Sequence, residues 1–184
     1  MYASTGIERE SKVRGLIVAA VAATAFVVTA PAFTVEQGDA APAFTARDFD
    51  GRAVEFPALL DGKPTVMVFW ATWCNYCKAF MPYLEKIQSD YGVDRINILT
   101  VNAKEDRSGG DPAEYIAALG MQTIAVADGD AIAAAYAVEY IPGLMVIAPD
   151  GKVAYRRAWT ELPAGDRVAS FWSRQVRRAL DDLL

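Results

Sequence analysis

The stretch Cys74-Asn75-Tyr76-Cys77-Lys78 holds the only two cysteines of this 184-residue chain. A Cys-x-x-Cys pair serves four kinds of chemistry: part of a zinc site, a covalent haem attachment, a structural staple or a reactive dithiol. Its companions decide between them. The chain contains no histidine, and a structural zinc site needs four nitrogen or sulfur ligands, of which two cysteines supply half. Covalent haem attachment requires histidine directly after the second cysteine, where Lys78 stands. Cys-His and Ser-His-Asp nucleophile systems fall to the same absence. What remains is the chemistry of sulfur, with no metal and no cofactor implied.

The rest of the composition sets the stage for that chemistry. With 53% hydrophobic and 22% charged residues, the chain can bury one core of ordinary domain size, and a monomer is expected. A net charge of −5 argues against a nucleic-acid partner, which would call for clustered Lys and Arg.

Residues 1 to 14 carry Arg9, Lys12 and Arg14 against Glu8 and Glu10, and residues 15–33 carry no charge. This is the layout of a signal peptide or an N-terminal membrane anchor. Ala30-Pro31-Ala32 offers small residues to a signal peptidase, so cleavage after Ala32 is one reading. A tether formed by residues 15–33, close to the ~20 residues that span a bilayer, is the other. Either way residues 1–37 form a leader and short linker, and residues 38–184 form a domain outside the cytoplasm, in a bacterial periplasm, free or attached to the inner membrane. There a dithiol works against an oxidising environment.

The elements that position the cysteines follow from periodicity. Residues 44–47 and 53–56 flank Asp48-Phe49-Asp50-Gly51 as a β-hairpin. Residues 65–71, TVMVFWA, are an apolar run that fits a strand covered on both faces. Residues 75–91 switch to helical spacing, with Phe80, Leu84, Ile87 and Tyr91 recurring every three or four positions. The cysteines thus stand where a central strand turns into a helix, and Pro82 is read as a kink within it. Further strands are expected at 96–101, 124–127, 143–148 and 152–158. Helices are expected at 113–119, capped by Asp111 with Pro112 at its first position, at 130–137, and from about 166 to 184. Asp128-Gly129-Asp130 reads as a turn and helix cap rather than a calcium loop. Arg156, Arg157, Arg174, Arg177 and Arg178 are expected to face solvent. The alternation predicts one α/β sandwich.

A thiolate, not a thiol, is the nucleophile in disulfide exchange. At a helix N-terminus the unpaired N–H groups and the macrodipole favour the anion and lower thiol pKa values to about 3.5 to 7.5. Cys74 is therefore the expected nucleophile, and Cys77, one turn deeper, the resolving thiol.

Phe69-Trp70-Ala71-Thr72-Trp73-Cys74-x-x-Cys77-Lys78, with Pro82 after it and Tyr136-x-Val138 leading to Ile141-Pro142, resembles the thioredoxin superfamily. The opening Ala41-Pro42-Ala43-Phe44, the Asp50-Gly51 hairpin and the long loop after residue 102 resemble, more narrowly, the TlpA/ResA-like thiol-disulfide oxidoreductases. The resemblance covers roughly residues 38 to 184. It implies a thioredoxin-like fold: a central mixed β-sheet flanked by helices, with an N-terminal β-hairpin extension. It implies a redox-active Cys74–Cys77 disulfide and a cis peptide bond before Pro142, beside the dithiol, where the Ile141 backbone pairs with a bound substrate segment. Trp73 and Tyr76, with Asn75 between them, either cover the end of the sheet or, as aromatics flanking a reactive thiol, form a contact surface for a partner chain. Partners would be cysteine-containing extracytoplasmic proteins, in cytochrome c maturation or metalloprotein cysteine reduction, and a membrane electron donor or acceptor.

Two features depart from that family. Asn75-Tyr76 contains neither the proline usual in TlpA/ResA-like proteins nor the histidine of the oxidising DsbA-like branch. Val68 and Phe80 replace the acids that relatives keep beneath the second cysteine, leaving water, Glu139 or the substrate to handle the proton. Three functions follow in order: a reductase of partner disulfides, a dithiol oxidase or isomerase, and a non-catalytic binding or copper-handling module.

Overall fold

The computed structural model describes residue 1 and residues 34–106, 108–158 and 167–184. The stretch 15–33, on which the leader readings rest, lies outside the described residues. No described helix is long and apolar enough to cross a membrane.

Seven strands and four α-helices are described: β1 (Phe44–Arg47), β2 (Ala53–Phe56), β3 (Thr65–Trp70), α1 (Asn75–Tyr91), β4 (Asn97–Asn102), α2 (Pro112–Leu119), β5 (Ile124–Val126), α3 (Asp130–Ala135), β6 (Gly143–Ile147), β7 (Val153–Arg156) and α4 (Val168–Asp181). The main sheet runs β5-β4-β3-β6-β7. β3, β4 and β5 are parallel, while β6 and β7 run antiparallel to their neighbours. This is the expected mixed sheet.

Every residue of β3 is buried, because its two faces enter two different cores. Val66, Val68 and Trp70 join Phe80, Leu84 and Ile87 of α1 and Trp172, Val176 and Leu180 of α4. Met67 and Phe69 join Val54 and Phe56 of the hairpin and Ile132 of α3. Two-sided burial is the reason for an apolar run without alternation. Both sheet edges are also covered, which leaves few free N–H and C=O groups to recruit another strand. The β1–β2 hairpin lies along β5 through Phe49 N–H to Ala125 O (3.2 Å) and Ala127 N–H to Arg47 O (3.0 Å). On the far edge, Gly38 N–H donates to Val153 O (2.8 Å) and Val153 N–H to Asp39 O (2.9 Å).

Helix ends follow local chemistry. Asp111 caps α2, its Oδ1 accepting from Ala113 N–H (2.8 Å) and Glu114 N–H (3.1 Å), with Pro112 at the first position. The expected aspartate cap of α3 is corrected: Gly129 is the N-cap with no side-chain bond, and Asp130 Oδ1 instead accepts from Lys104 N–H at 2.6 Å. That bond ties the loop after β4 to α3.

The far ends of α1 and α4 meet at a polar staple. Tyr91 Oη donates to Asp181 Oδ1 at 2.5 Å, and Arg177 Nη2 to Asp90 Oδ2 at 2.7 Å. Burial first, and then the bond to Asp181, push the Tyr91 phenol from its usual 10.0 up to about 12. The folded protein holds this proton more tightly than the unfolded chain does, so the contribution is complete below pH 10 and is lost as the pH rises through about 12. Urea midpoints measured from pH 8 upward are expected to fall less steeply across this window in Tyr91→Phe than in the parent; identical slopes would refute the staple's role.

Candidate active site

Cys74 is the N-cap of α1, in extended backbone conformation (φ −80°, ψ 102°). Its Sγ accepts the Cys77 N–H at 3.1 Å, satisfying one of the donors that a helix start leaves unpaired. The two cysteines form a disulfide, with Cα atoms 5.2 Å apart. Cys74 is 4% exposed and Cys77 1%. Both lie in the core that holds Val68, Trp70 and Phe80, so the surroundings of the pair are apolar. Among the described residues no charged side chain donates to either sulfur, and no three Cys, Asp or Glu side chains are grouped as metal ligands.

The register of the sheet brings the second part of the site to the first. Phe69 pairs with Gly143, so the Ile141–Pro142 peptide, which is cis, lies beside the end of β3 where the chain leaves for Cys74. Ile141 packs against both cores. Among the described residues, neither its N–H nor its C=O makes a hydrogen bond, a rare condition for backbone unless water or a partner supplies the match. Trp73 and Tyr76, 39% and 62% exposed, flank the cysteines, and Asn75 between them is exposed. Tyr76 stands edge-on to Trp172, centroids 6.3 Å apart. Glu139 is exposed, and its carboxylate bonds to no other described residue.

Two polar clamps hold these segments. On one side Glu105 accepts from Thr72 N–H (2.9 Å), from the Thr72 hydroxyl and from Asn102 Nδ2 (2.7 Å), while Trp73 Nε1 donates to Lys104 O at 2.7 Å. The loop after β4 is thereby bolted to the residues that enter the dithiol.

The other clamp overturns the expectation that Arg156 and Arg157 face solvent. β7 contributes side chains to both cores, so Arg156 is half-buried and Arg157 buried. Arg156 donates to Tyr136 O (2.9 Å) and Ala137 O (2.8 Å) at the end of α3. Arg157 is 5% exposed, and its guanidinium lies 4.5 Å from the Tyr140 ring centroid and 4.7 Å from that of Trp172. Arg157 Nε donates to Pro142 O at 2.8 Å. Burial pushes the guanidinium pKa down from its ordinary value. Arg177 is corrected as well, being half-buried against Asp90, whereas Arg174 and Arg178 are exposed.

Residues 37–156 match the AhpC/TSA family. The chain belongs to that family. Among its relatives, the thiol-disulfide oxidoreductase ResA of Bacillus subtilis (strain 168) is 30% identical over 121 residues, which are 65% of this chain and 66% of that protein. The protein of the same name from Bacillus anthracis is 30% identical over 117 residues, 63% of this chain and 66% of that protein. The chain thus spans slightly less than two thirds of the length of these relatives. A crystal structure of a thiol:disulfide interchange protein, thioredoxin family protein from Chlorobium tepidum TLS superposes with a TM-score of 0.60 at 21% identity, over 80% of this chain and 99% of that one. The thioredoxin-like fold expected from sequence is therefore the fold of this AhpC/TSA family member.

Glu105, Asn102 and Arg157 escaped the sequence reading. A period-two count along β7 would have placed Tyr155 and Arg157 on one face. For Glu105, in an irregular loop, no periodic signal exists. Glu105→Ala would leave the buried Thr72 N–H without its acceptor and the Asn102 amide with only its longer bond to Trp70 O at 3.4 Å. Urea unfolding is expected to show a loss of about 1–3 kcal/mol; a change under about 0.5 kcal/mol, the scale of ordinary surface substitutions, would rule this clamp out.

Proposed function

We propose that the chain is an extracytoplasmic thiol-disulfide oxidoreductase that reduces disulfides of partner proteins through Cys74 and Cys77. The observation that carries this reading is the position of Cys74 Sγ at the start of α1, accepting the Cys77 N–H and within bonding reach of the second sulfur. A helix N-terminus favours a thiolate at Cys74, and the apolar surroundings of Cys77 disfavour one there. The two sulfurs therefore take different roles.

In the reduced protein the Cys74 thiolate attacks one sulfur of the partner's disulfide. The Cys74–partner bond forms, the partner's S–S bond breaks, and the displaced sulfur leaves as a thiolate and takes a proton. Cys77 then loses its proton and attacks Cys74 Sγ, forming the Cys74–Cys77 disulfide and releasing the second partner thiol. Two electrons pass from the pair to the partner, and a membrane dithiol donor restores them. With Val68 and Phe80 beneath the pair, and Glu139 exposed, the proton of Cys77 passes to the departing partner thiolate or to water.

Trp73, Asn75 and Tyr76 provide the contact surface, and the Ile141 N–H and C=O, unbonded among the described residues and beside Pro142, accept a partner segment by strand addition. Reduction is favoured because a dithiol oxidises others when its reduced form is strongly stabilised, and here no charged side chain among the described residues donates to the sulfurs. The uncharged run of residues 15–33 supports the location outside the cytoplasm, and the ResA relatives support the reaction class.

Two measurements test the reading. Cys77→Ser is expected to accumulate mixed disulfides with partner proteins and Cys74→Ser to accumulate none; absence from both would remove the exchange mechanism. Equilibration of the full chain with dithiothreitol, followed by tryptophan fluorescence, is expected to give a potential near or below about −270 mV, whereas one near about −120 mV would make the protein an oxidase.

A further inference from the structure

Resting on the exchange reading above, we propose that Arg157 is a positioning residue that holds the Ile141 backbone ready for a protein substrate, and so sets the preference for polypeptide over small disulfides. Arg157 reaches both neighbours of Ile141. Its Nε donates to Pro142 O at 2.8 Å, its main-chain carbonyl accepts from Tyr140 Oη at 3.2 Å, and its guanidinium stacks on the Tyr140 ring. Arg156, next in the strand, holds Tyr136 O and Ala137 O. Two adjacent arginines thus fasten the two ends of the connection from α3 to β6. Ile141, like Glu139, is a link in that connection whose own N–H and C=O make no hydrogen bond with a described residue, and it is the one of the two that the arginine brackets from both sides.

The cost of this arrangement points to a use. A buried cation without a carboxylate is expensive to keep, and replacement by an apolar residue of similar volume is often neutral or stabilising. Among the described residues no carboxylate forms an ion pair with Arg157. Among the described residues its compensation is one carbonyl and two aromatic faces, those of Tyr140 and Trp172. Trp172 in turn packs on Tyr76 and Phe80 of α1, so one guanidinium plane connects the strand-docking edge to the helix that carries the dithiol. A planar fork does this where a lysine cannot: Lys would keep the charge and lose the stack and the Nε donor.

A disulfide with no peptide groups cannot use the Ile141 edge; a polypeptide disulfide can. The test compares the reduced full chain with its Arg157→Met and Arg157→Lys variants on insulin and on hydroxyethyl disulfide. The ratio of kcat/KM for insulin to the rate constant for hydroxyethyl disulfide is expected to fall about 10- to 100-fold in both variants, as for a misplaced docking element, with the loss on insulin carried mainly by KM. A ratio equal to that of the parent, or a parallel fall on both substrates, would overturn the proposal. If the parent chain itself reduces neither substrate, the oxidoreductase reading fails first and takes the proposal with it. Should Arg157→Met lose its far-ultraviolet circular dichroism, Arg157→Lys alone decides.

Discussion

A strand buried on both faces cannot slip by one residue without exchanging the side chains of two cores. β3 is held in this way: Val66, Val68 and Trp70 belong to one core, Met67 and Phe69 to the other. Its end is therefore a fixed point, and four residues later Cys74 opens α1. The antiparallel neighbour β6 inherits the same fixity through the Phe69–Gly143 pairing, which brings the cis Ile141–Pro142 peptide to the end where the dithiol stands. Neither α1 nor β6 has to be steered separately. Both are placed by what β3 buries.

Around that fixed end the polar interactions are placed beside the sulfurs rather than upon them. Glu105 spends its carboxylate on Thr72 and Asn102, and Arg157 its guanidinium on Pro142, Tyr140 and Trp172. Each charged group orders a backbone segment: the entry to Cys74 in one case, the turn around Ile141 in the other. Hydrogen bonds to a charged group contribute roughly 1.5–3 kcal/mol, enough to hold a loop. Loops that must present backbone to a partner are otherwise drawn from the less stable parts of a fold.

The strands and helices were legible from sequence because each is governed by a local rule. The hairpin limits coincide with residues 44–47 and 53–56 because Asp48 and Gly51 specify the turn: Asp48 Oδ1 accepts from the N–H groups of Asp50 and Arg52, and Gly51 adopts φ +80°. α1 was readable from Phe80, Leu84 and Ile87, and α2 from Asp111 and Pro112. The clamps were not, for a physical reason. Arg157 looks like a surface residue wherever one face of a hairpin is assumed to meet water, and only the docking of α4 over β7 removes that face. Glu105 depends on the separation between the loop after β4 and Thr72, a contact across 33 positions that no periodicity encodes. Asp130 illustrates the competition: an aspartate at a helix start has a cap to offer, but a donor from a distant loop, Lys104 N–H, claimed its carboxylate.

With Glu105 and Arg157 engaged elsewhere, the described hydrogen bonding to a thiolate at Cys74 comes from the start of α1. The described donor to its sulfur is the Cys77 N–H at 3.1 Å, a hydrogen bond that becomes charge-assisted when that sulfur is a thiolate. Stabilisation of the thiolate adds to the stability of the reduced pair and so raises its potential, with about 30 mV corresponding to 1.4 kcal/mol in a two-electron couple. Because Arg157 is engaged with a carbonyl and two ring faces, its guanidinium adds no described hydrogen bond to this gain. The same placement of Arg157 that orders the Ile141–Pro142 turn directs its Nε to Pro142 O and not to either sulfur, so under the exchange reading proposed above substrate docking and reducing power would be set by different groups.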